Sequence, residues 1–350
     1  MTIANILPTM NITKKTALER LPGDAIGAIC EYLDIKEKNR LLGLSKSLRI
    51  EQKKYRYLNL NREYSFMFYE NEKFRNTINK LVIYPRMQIS LNLSRTCVRD
   101  VSALGNVHTL NLSQTLVQDV SALGNVHTLI LRKTFVRDAS ALGNVHTLDL
   151  SGTPIVDVSR LGNVHTLDLS STFVVNVNAL RNVHTLDLSN CTSLVDVSSL
   201  KNVHTLDLQY CVSVSDVSAL GNVHTLNLYY TSVVNVSALE NVHTLDLGRT
   251  DVVDVSALKN VHTLDLSYTD VVDVSALRNV HTLNLAYCRS IVDVSALENV
   301  HSLDLGDTYV SDVSALGNVH TLNLRNTSVY DVSALGNVHS LDLFNCASIL

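Results

Sequence analysis

The sequence predicts a repeat solenoid, with a parallel β-sheet on the concave face, tight turns elsewhere and a small α-helical domain in front. Three observations predict it. All 13 histidines recur 19 or 20 residues apart, from His108 to His339. Each sits in the same core, Asn-Val-His-Thr/Ser-Leu. Charge divides near residue 90, with 16 Lys+Arg against 9 Asp+Glu before it and 13 against 24 after it. A fixed period of that length marks stacked units, none able to bury its apolar face alone. The charge asymmetry marks a boundary between two parts.

Written from its valine, one unit reads V-H-T-L-D-L-S-x-T-x-V-x-D-V-S-A-L-x-N. Leu110 and Leu112 are two apart and so face one side of a short strand. Val117, Val120, Leu123 and Val126 complete the inward set. An opening unit, "ISLNLSRTCVRDVSALGN", carries Ile89 in the histidine's place, giving about 14 units over residues 91–350. At ~4.8 Å per strand they would make a solenoid roughly 60 Å long. The 20-residue units carry Cys191, Cys211 and Cys288 where the others have threonine, as does the final unit with Cys346. A cysteine unit is expected to hold its extra residue in the turn. Cys191 and Cys211 stack on adjacent coils, a position open to a disulfide. With no C-x-x-C pair in the chain, small buried thiols in a reduced, intracellular setting are the expectation.

The L-x-L-x-x-T-x-V core resembles the leucine-rich-repeat pattern, with Thr or Cys where Asn is commonest. "DVSAL" is similar to the descending segment of bacterial internalins. The resemblance implies a leucine-rich-repeat coil. Comparison among units then separates what the coil dictates from what it leaves free. Asn106 and its equivalents never vary, which suits a side chain hydrogen-bonded to turn backbone. The residue before it is Gly, Arg, Lys or Glu, so it is exposed and needs no positive φ. Asp119 of "DVSAL" can accept from the serine N–H two residues on.

The histidine column offers one imidazole per coil in one orientation, parallel rather than convergent. A metal site needs convergence. A proton sensor is disfavoured too, because charged neighbours ~5 Å apart repel by about 3 kcal/mol at an effective dielectric near 20. The column is therefore read as neutral, stacked architecture. The strand's outward centre carries eight aspartates, Asp246 and Asp265 among them. They are read as a solvated column or a negative trough for a basic partner. The two positions after the second leucine vary most, collecting Tyr210, Tyr229, Tyr230, Arg249, Tyr268 and Tyr287 on successive coils. Tyr and Arg dominate binding hot spots, so these six, with Asp246 and Asp265, are the expected partner site on the concave face.

Ahead of the repeats, Pro22 and Asp24 open a helix. Ile26, Ile29, Cys30 and Leu33 share one face of it, and Leu41, Leu44 and Leu48 repeat the pattern. The stretch "LERLPGDAIGAICEYLDIKEKNRLLGLSKSLRIEQKK" resembles an F-box, with Lys38 and Leu48 departing from the usual residues. The near-identical units behind it look like those of proteins from large DNA viruses of amoebae. The resemblance implies docking of a Skp-type adaptor of a cullin–RING ubiquitin ligase through Leu21, Pro22, Ile26, Ile29 and Leu33. It also implies residence in the host-cell cytoplasm. The expected organisation is a tail (1–16), an F-box-like domain (17–57), a connecting or capping segment (58–90) and the solenoid (91–350).

Several classes have little support. No apolar run approaches a membrane span, and the lysines of "MTIANILPTMNITKK" follow the apolar patch instead of preceding it, unlike a secretory signal. The acidic repeats argue against nucleic acid. No H-E-x-x-H, P-loop or G-x-S-x-G pattern is present. A binding protein without catalytic residues, metal or cofactor is expected. It is either an F-box adaptor that recruits substrates, or a leucine-rich-repeat scaffold with a helical cap and no ubiquitin role.

Overall fold

The structure, a computed structural model, describes residues 57–81 and 88–346. The F-box-like residues Leu21, Pro22, Ile26, Ile29 and Leu33 lie outside the described residues. Tyr57–Asn59 forms β1, followed by two helices, α1 (Arg62–Glu70) and α2 (Glu72–Leu81), then β2 (Gln88–Asn92) and β3 (Thr109–Asn111). Twelve more three-residue strands follow, one per coil, ending with β15 at Ser340–Asp342. All lie in one 15-stranded sheet in sequence order, and every neighbouring pair is parallel, as in Leu110↔Leu129. This is the expected solenoid.

Its inward set is the one the alternation predicts: Leu110, Leu112, Val117, Val120, Leu123 and Val126 are all buried. Each such side chain contributes about 1.5–3 kcal/mol only when a neighbouring coil covers it. Backbone ladders fix the coil spacing beyond the strands. His127 N and Thr128 N both donate to His108 O, at 3.0 and 2.9 Å, and Leu112 N donates to Ile130 O at 2.8 Å. Thr115 Oγ1 turns back onto Leu112 O at 2.6 Å.

The cysteine units follow the same plan with one residue more. Leu194 N closes a turn on Cys191 O at 3.0 Å, and Val214 N does so on Cys211 O at 2.9 Å. The thiols of Cys191, Cys211 and Cys288 are free and buried. Cys211 Sγ donates to Leu188 O of the preceding coil at 3.1 Å. Burial, and then the neighbouring Cys191, push its pKa up to about 12, so the thiol stays protonated and unreactive.

The structure differs from expectation at three places. The sheet begins one strand earlier than the repeats suggest. The segment read as a connection contributes β1, which pairs with β2 through Leu58↔Ile89. The reason is that "LNL" supplies the two leucines of a unit, while α1 and α2 replace its descending half. Asn61 Oδ1 accepts Tyr64 N at 2.9 Å to start α1, and Asn71 Oδ1 accepts Phe74 N at 3.0 Å to start α2. Phe68, Phe74 and Ile78 are buried in the core, so the helices cover the first coil.

The second difference is the Asn106 column. It is exposed, and its side chains make no hydrogen bond among the described residues. Backbone closes the turn instead, Val107 N to Leu104 O at 3.2 Å. The third concerns the glycine before it. Gly105 has φ −65°, so no positive φ is needed. A Cβ there would nonetheless lie 2.2 Å from Ala122 O of the next coil, so glycine lets this coil approach more closely than the turns that carry Arg181 or Lys201.

Candidate functional site

The site is built where each strand leaves the sheet. The Asp or Asn expected at the strand's centre is its last residue, and it accepts the backbone N–H two residues on: Ser151 N to Asp149 Oδ1 at 2.9 Å, Gly248 N to Asp246 Oδ1 at 2.8 Å, Ser267 N to Asp265 Oδ1 at 2.8 Å. Asn227 does the same for Tyr229 N at 3.0 Å. The aspartate column is therefore selected by the coil, as the acceptor of a tight turn, and is not a free surface. Alternation alone could not reveal this, because it sorts positions only into inward and outward.

Half-burial strains four of its members electrostatically. Desolvation raises the pKa of Asp149, Asp187 and Asp207. It carries Asp246 to about 6, with the carboxylates of Asp265 and Asp207 adding to it. Asparagines that interrupt the run donate to the carboxylate on the coil before. Asn227 Nδ2 donates to Asp207 Oδ2 at 3.2 Å, and Asn284 Nδ2 to Asp265 Oδ2 at 2.7 Å.

The second residue after the second leucine adopts left-handed backbone in every described unit. Gly152 has φ +64°, Asn190 +60°, Tyr210 +60°, Tyr230 +57°, Arg249 +57°, Tyr268 +60° and Tyr287 +64°. This conformation disfavours a side chain by roughly 1–2 kcal/mol and suits Gly or Asn. The occurrence of Gly152, Asn190, Asn326 and Asn345 in the column was the signal in the sequence that could have revealed it.

The six predicted partner-site residues fall into two clusters on consecutive coils, Tyr210 with Tyr229 and Tyr230, and Arg249 with Tyr268 and Tyr287. Tyr210 lies 5.5 Å from both Tyr229 and Tyr230, ring centroid to centroid. The Arg249 guanidinium sits 4.0 Å above the Tyr268 ring, which stacks on Tyr287 at 4.2 Å and 8°. Tyr229 lies over Gly248, where a Cβ would meet its ring at 2.9 Å. A hydrogen bond with Tyr268, and then the Asp307 carboxylate, hold the Tyr287 phenol above its ordinary pKa. Asp246 and Asp265 lie in the strand column beneath the ladder, already engaged in their turns.

The histidines stack in a separate column. Centroids are 4.5 Å apart for His108–His127 and 4.7 Å for His165–His184, with interplanar angles of 12° and 9°. Nδ1 of His127 lies 3.2 Å from Thr128 Oγ1. Desolvation, and then neighbouring imidazoles, lower the pKa of His146, His184 and His243. Stacking is near-parallel for most of the column, but His243–His262 tilts by 31°, and His301–His320 and His320–His339 meet edge-on at 82° and 66°. Among the described residues no group of three or more His, Cys, Asp or Glu is arranged to hold a metal ion. Purified protein is expected to contain no stoichiometric transition metal, and chelator should leave its melting temperature unchanged. A reproducible ion for every few histidines would contradict this.

The solved structures similar to this chain share the coil. An internalin from Listeria monocytogenes matches at TM-score 0.59 and 22% identity, over 72% of this chain and 86% of that one. A Leptospira interrogans leucine-rich-repeat protein matches at TM-score 0.60 and 18% identity, over 82% and 88%. The fold is that of the leucine-rich-repeat proteins. A functional domain of InlJ from Listeria monocytogenes, which includes a cysteine ladder, matches at TM-score 0.54 and 19% identity, over 71% and 66%. At these identities the likeness is one of fold. No family model matches the sequence, and no curated protein matches it significantly. No helix among the described residues is long and apolar enough to cross a membrane.

Proposed function

We propose that this leucine-rich-repeat chain is a protein-recognition adaptor of a cullin–RING ubiquitin ligase, with no chemistry or cofactor of its own. Residues 17–57 dock a Skp-type adaptor in the host-cell cytoplasm, and the solenoid holds the protein to be ubiquitinated. One observation carries the recognition half. Tyr210, Tyr230, Arg249, Tyr268 and Tyr287 occupy positive-φ positions on consecutive coils, where the backbone would favour Gly or Asn. The coil does not ask for these side chains, and they are the types that anchor interfaces. The ladder lies beside an acidic column, so the favoured partner is a protein segment with both apolar and basic residues, and not nucleic acid. Charge steers the encounter and the rings set the residence time.

Capture from cells followed by affinity measurement on the captured protein tests this. Tyr229→Ala and Tyr268→Ala should each weaken binding by ~1–3 kcal/mol while the solenoid stays folded. A partner held as tightly by the double variant places the site elsewhere. A second reading, a scaffold with a helical cap and no ubiquitin role, draws on α1 and α2, which cover the first coil. In the favoured reading that cover leaves the apolar stripe of Ile26, Ile29 and Leu33 to the adaptor.

A further inference from the structure

A second surface stands out four residues further along each coil than the tyrosine ladder, or five in the cysteine unit that carries Val292. Between the threonine column and "DVSAL" the chain is extended, so successive side chains point to opposite sides. Val271 faces the core at 0% exposure and Val272 faces out at 57%. The coil needs only the inner valine. The outer position accepts Arg137, Ser215 and Ser311 in other units, so nothing in the packing calls for an apolar side chain there.

Valine fills it nevertheless. Val234, Val253, Val272 and Val292 stand on four consecutive coils, each between 52% and 66% exposed. Extended backbone favours β-branched residues, which accounts for a valine here or there but not for an unbroken exposed row. Stacked at the coil spacing, they form an apolar stripe on the order of a few hundred Å², in the range of the largest exposed patches of soluble monomers, which are often functional.

The flanks of its two central valines say what covers it, while Val234 has Ser232 and Asn235 beside it and Val292 has Ser290 and Asp293. Asp251 and Asp270 are exposed on one side of Val253 and Val272, and Asp254 and Asp273 on the other. Ser256 N and Ser275 N donate to the latter two carboxylates at 2.9 and 2.8 Å, which favours their charged form. A second copy laid stripe to stripe would press like charges together. A segment with lysine or arginine on both sides of an apolar row meets no such penalty.

Spacing selects its conformation. In the histidine column, ring centroids on adjacent coils are 4.7 Å apart, and that distance serves as the coil repeat of the stripe. A strand along the stripe would present same-face residues about 6.7 Å apart and fall out of step within two coils. A helix presents one apolar residue per ~5.4 Å turn and drifts only about 2 Å over four coils.

We infer that the Val234–Val292 stripe docks a basic amphipathic α-helix of a partner protein. The surface is distinct from the tyrosine ladder and does not depend on it. The probe is a 14-residue Leu/Lys peptide with its leucines on one helical face, titrated into the full chain at physiological salt. A peptide of the same composition with leucines spread around the helix is the control. Changing Val234, Val253, Val272 and Val292 to Ser, the residue already found at Ser215, should leave the melting temperature unchanged. It should weaken the facial peptide at least about 30-fold, since each valine gives up its apolar cover. The spread peptide should bind the parent at least about 10-fold more weakly than the facial one. The Tyr229→Ala, Tyr268→Ala chain should keep the parent's affinity. Equal binding by the four-serine chain, or no preference between peptides, would overturn the inference. So would loss of the peptide on changing the tyrosines alone, or a parent dimer that the serines disperse.

Discussion

Asp246→Asn is expected to make the protein more stable at neutral pH, although it removes a charge from an acidic surface. The turn survives, because asparagine already fills this role at Asn227, Asn284 and Asn323, each accepting the same backbone N–H at 3.0 Å. What disappears is a carboxylate whose pKa is raised from 3.8 to about 6, chiefly by burial. A carboxylate raised in this way binds its proton more tightly in the folded chain than in the unfolded one. Stability is therefore present in acid and lost as pH rises through the window from 3.8 to about 6. Discounted for the exposed part of the group, the asparagine should add about 2 kcal/mol at pH 7.5.

Other groups tilt the parent the opposite way. Asp119, Asp254 and the other turn aspartates have pKa values lowered by hydrogen bonds from serine. Stability from them is present above the ordinary carboxylate range and lost in acid. The histidines with lowered pKa lose theirs as pH falls below 6.5. The difference between parent and variant at each pH cancels these contributions. Thermal unfolding of both chains from pH 4 to 8 should show curves that converge near pH 4 and separate above 6. Coincident curves throughout would mean that Asp246 is not strained.

Much of the coil was legible because its rules are local. Leu110 with Leu112, and Val117 with Val120, follow from alternation and from the need of stacked units to share a core. The extra residue at Cys191 followed from the length difference among units. Turn chemistry was harder to read. The Asp149 column was taken as surface because a side chain that points outward can still be bound to backbone two residues on. The left-handed backbone at Tyr268 was hidden by the tyrosine itself, since the residue that favours that conformation is Gly152 three coils from the first tyrosine. The outward valines were masked by their inward neighbours in "VVDV", where only a three-dimensional coil separates Val271 from Val272. The first strand, Tyr57–Asn59, was missed because helices replace the rest of its unit.

The adaptor prediction carries the largest effect. In the F-box reading Leu21 and Pro22 lead into the helix that carries Ile26, Ile29 and Leu33, and together they form the apolar contact with the Skp-type adaptor. Such contacts concentrate their energy in a few buried side chains, so Leu21→Ala with Pro22→Ala should remove binding altogether. The solenoid should stay folded, because its described core from Leu60 to Leu335 is built from the leucines and valines of the coils, with Phe68, Phe74 and Ile78 of α1 and α2. The direct measurement is co-purification of a Skp-type adaptor with the full chain and with the double variant, each first shown to melt at the same temperature. The adaptor is expected to follow the parent and not the variant. An adaptor that ignores the parent, or follows both equally, would contradict the ubiquitin-ligase role.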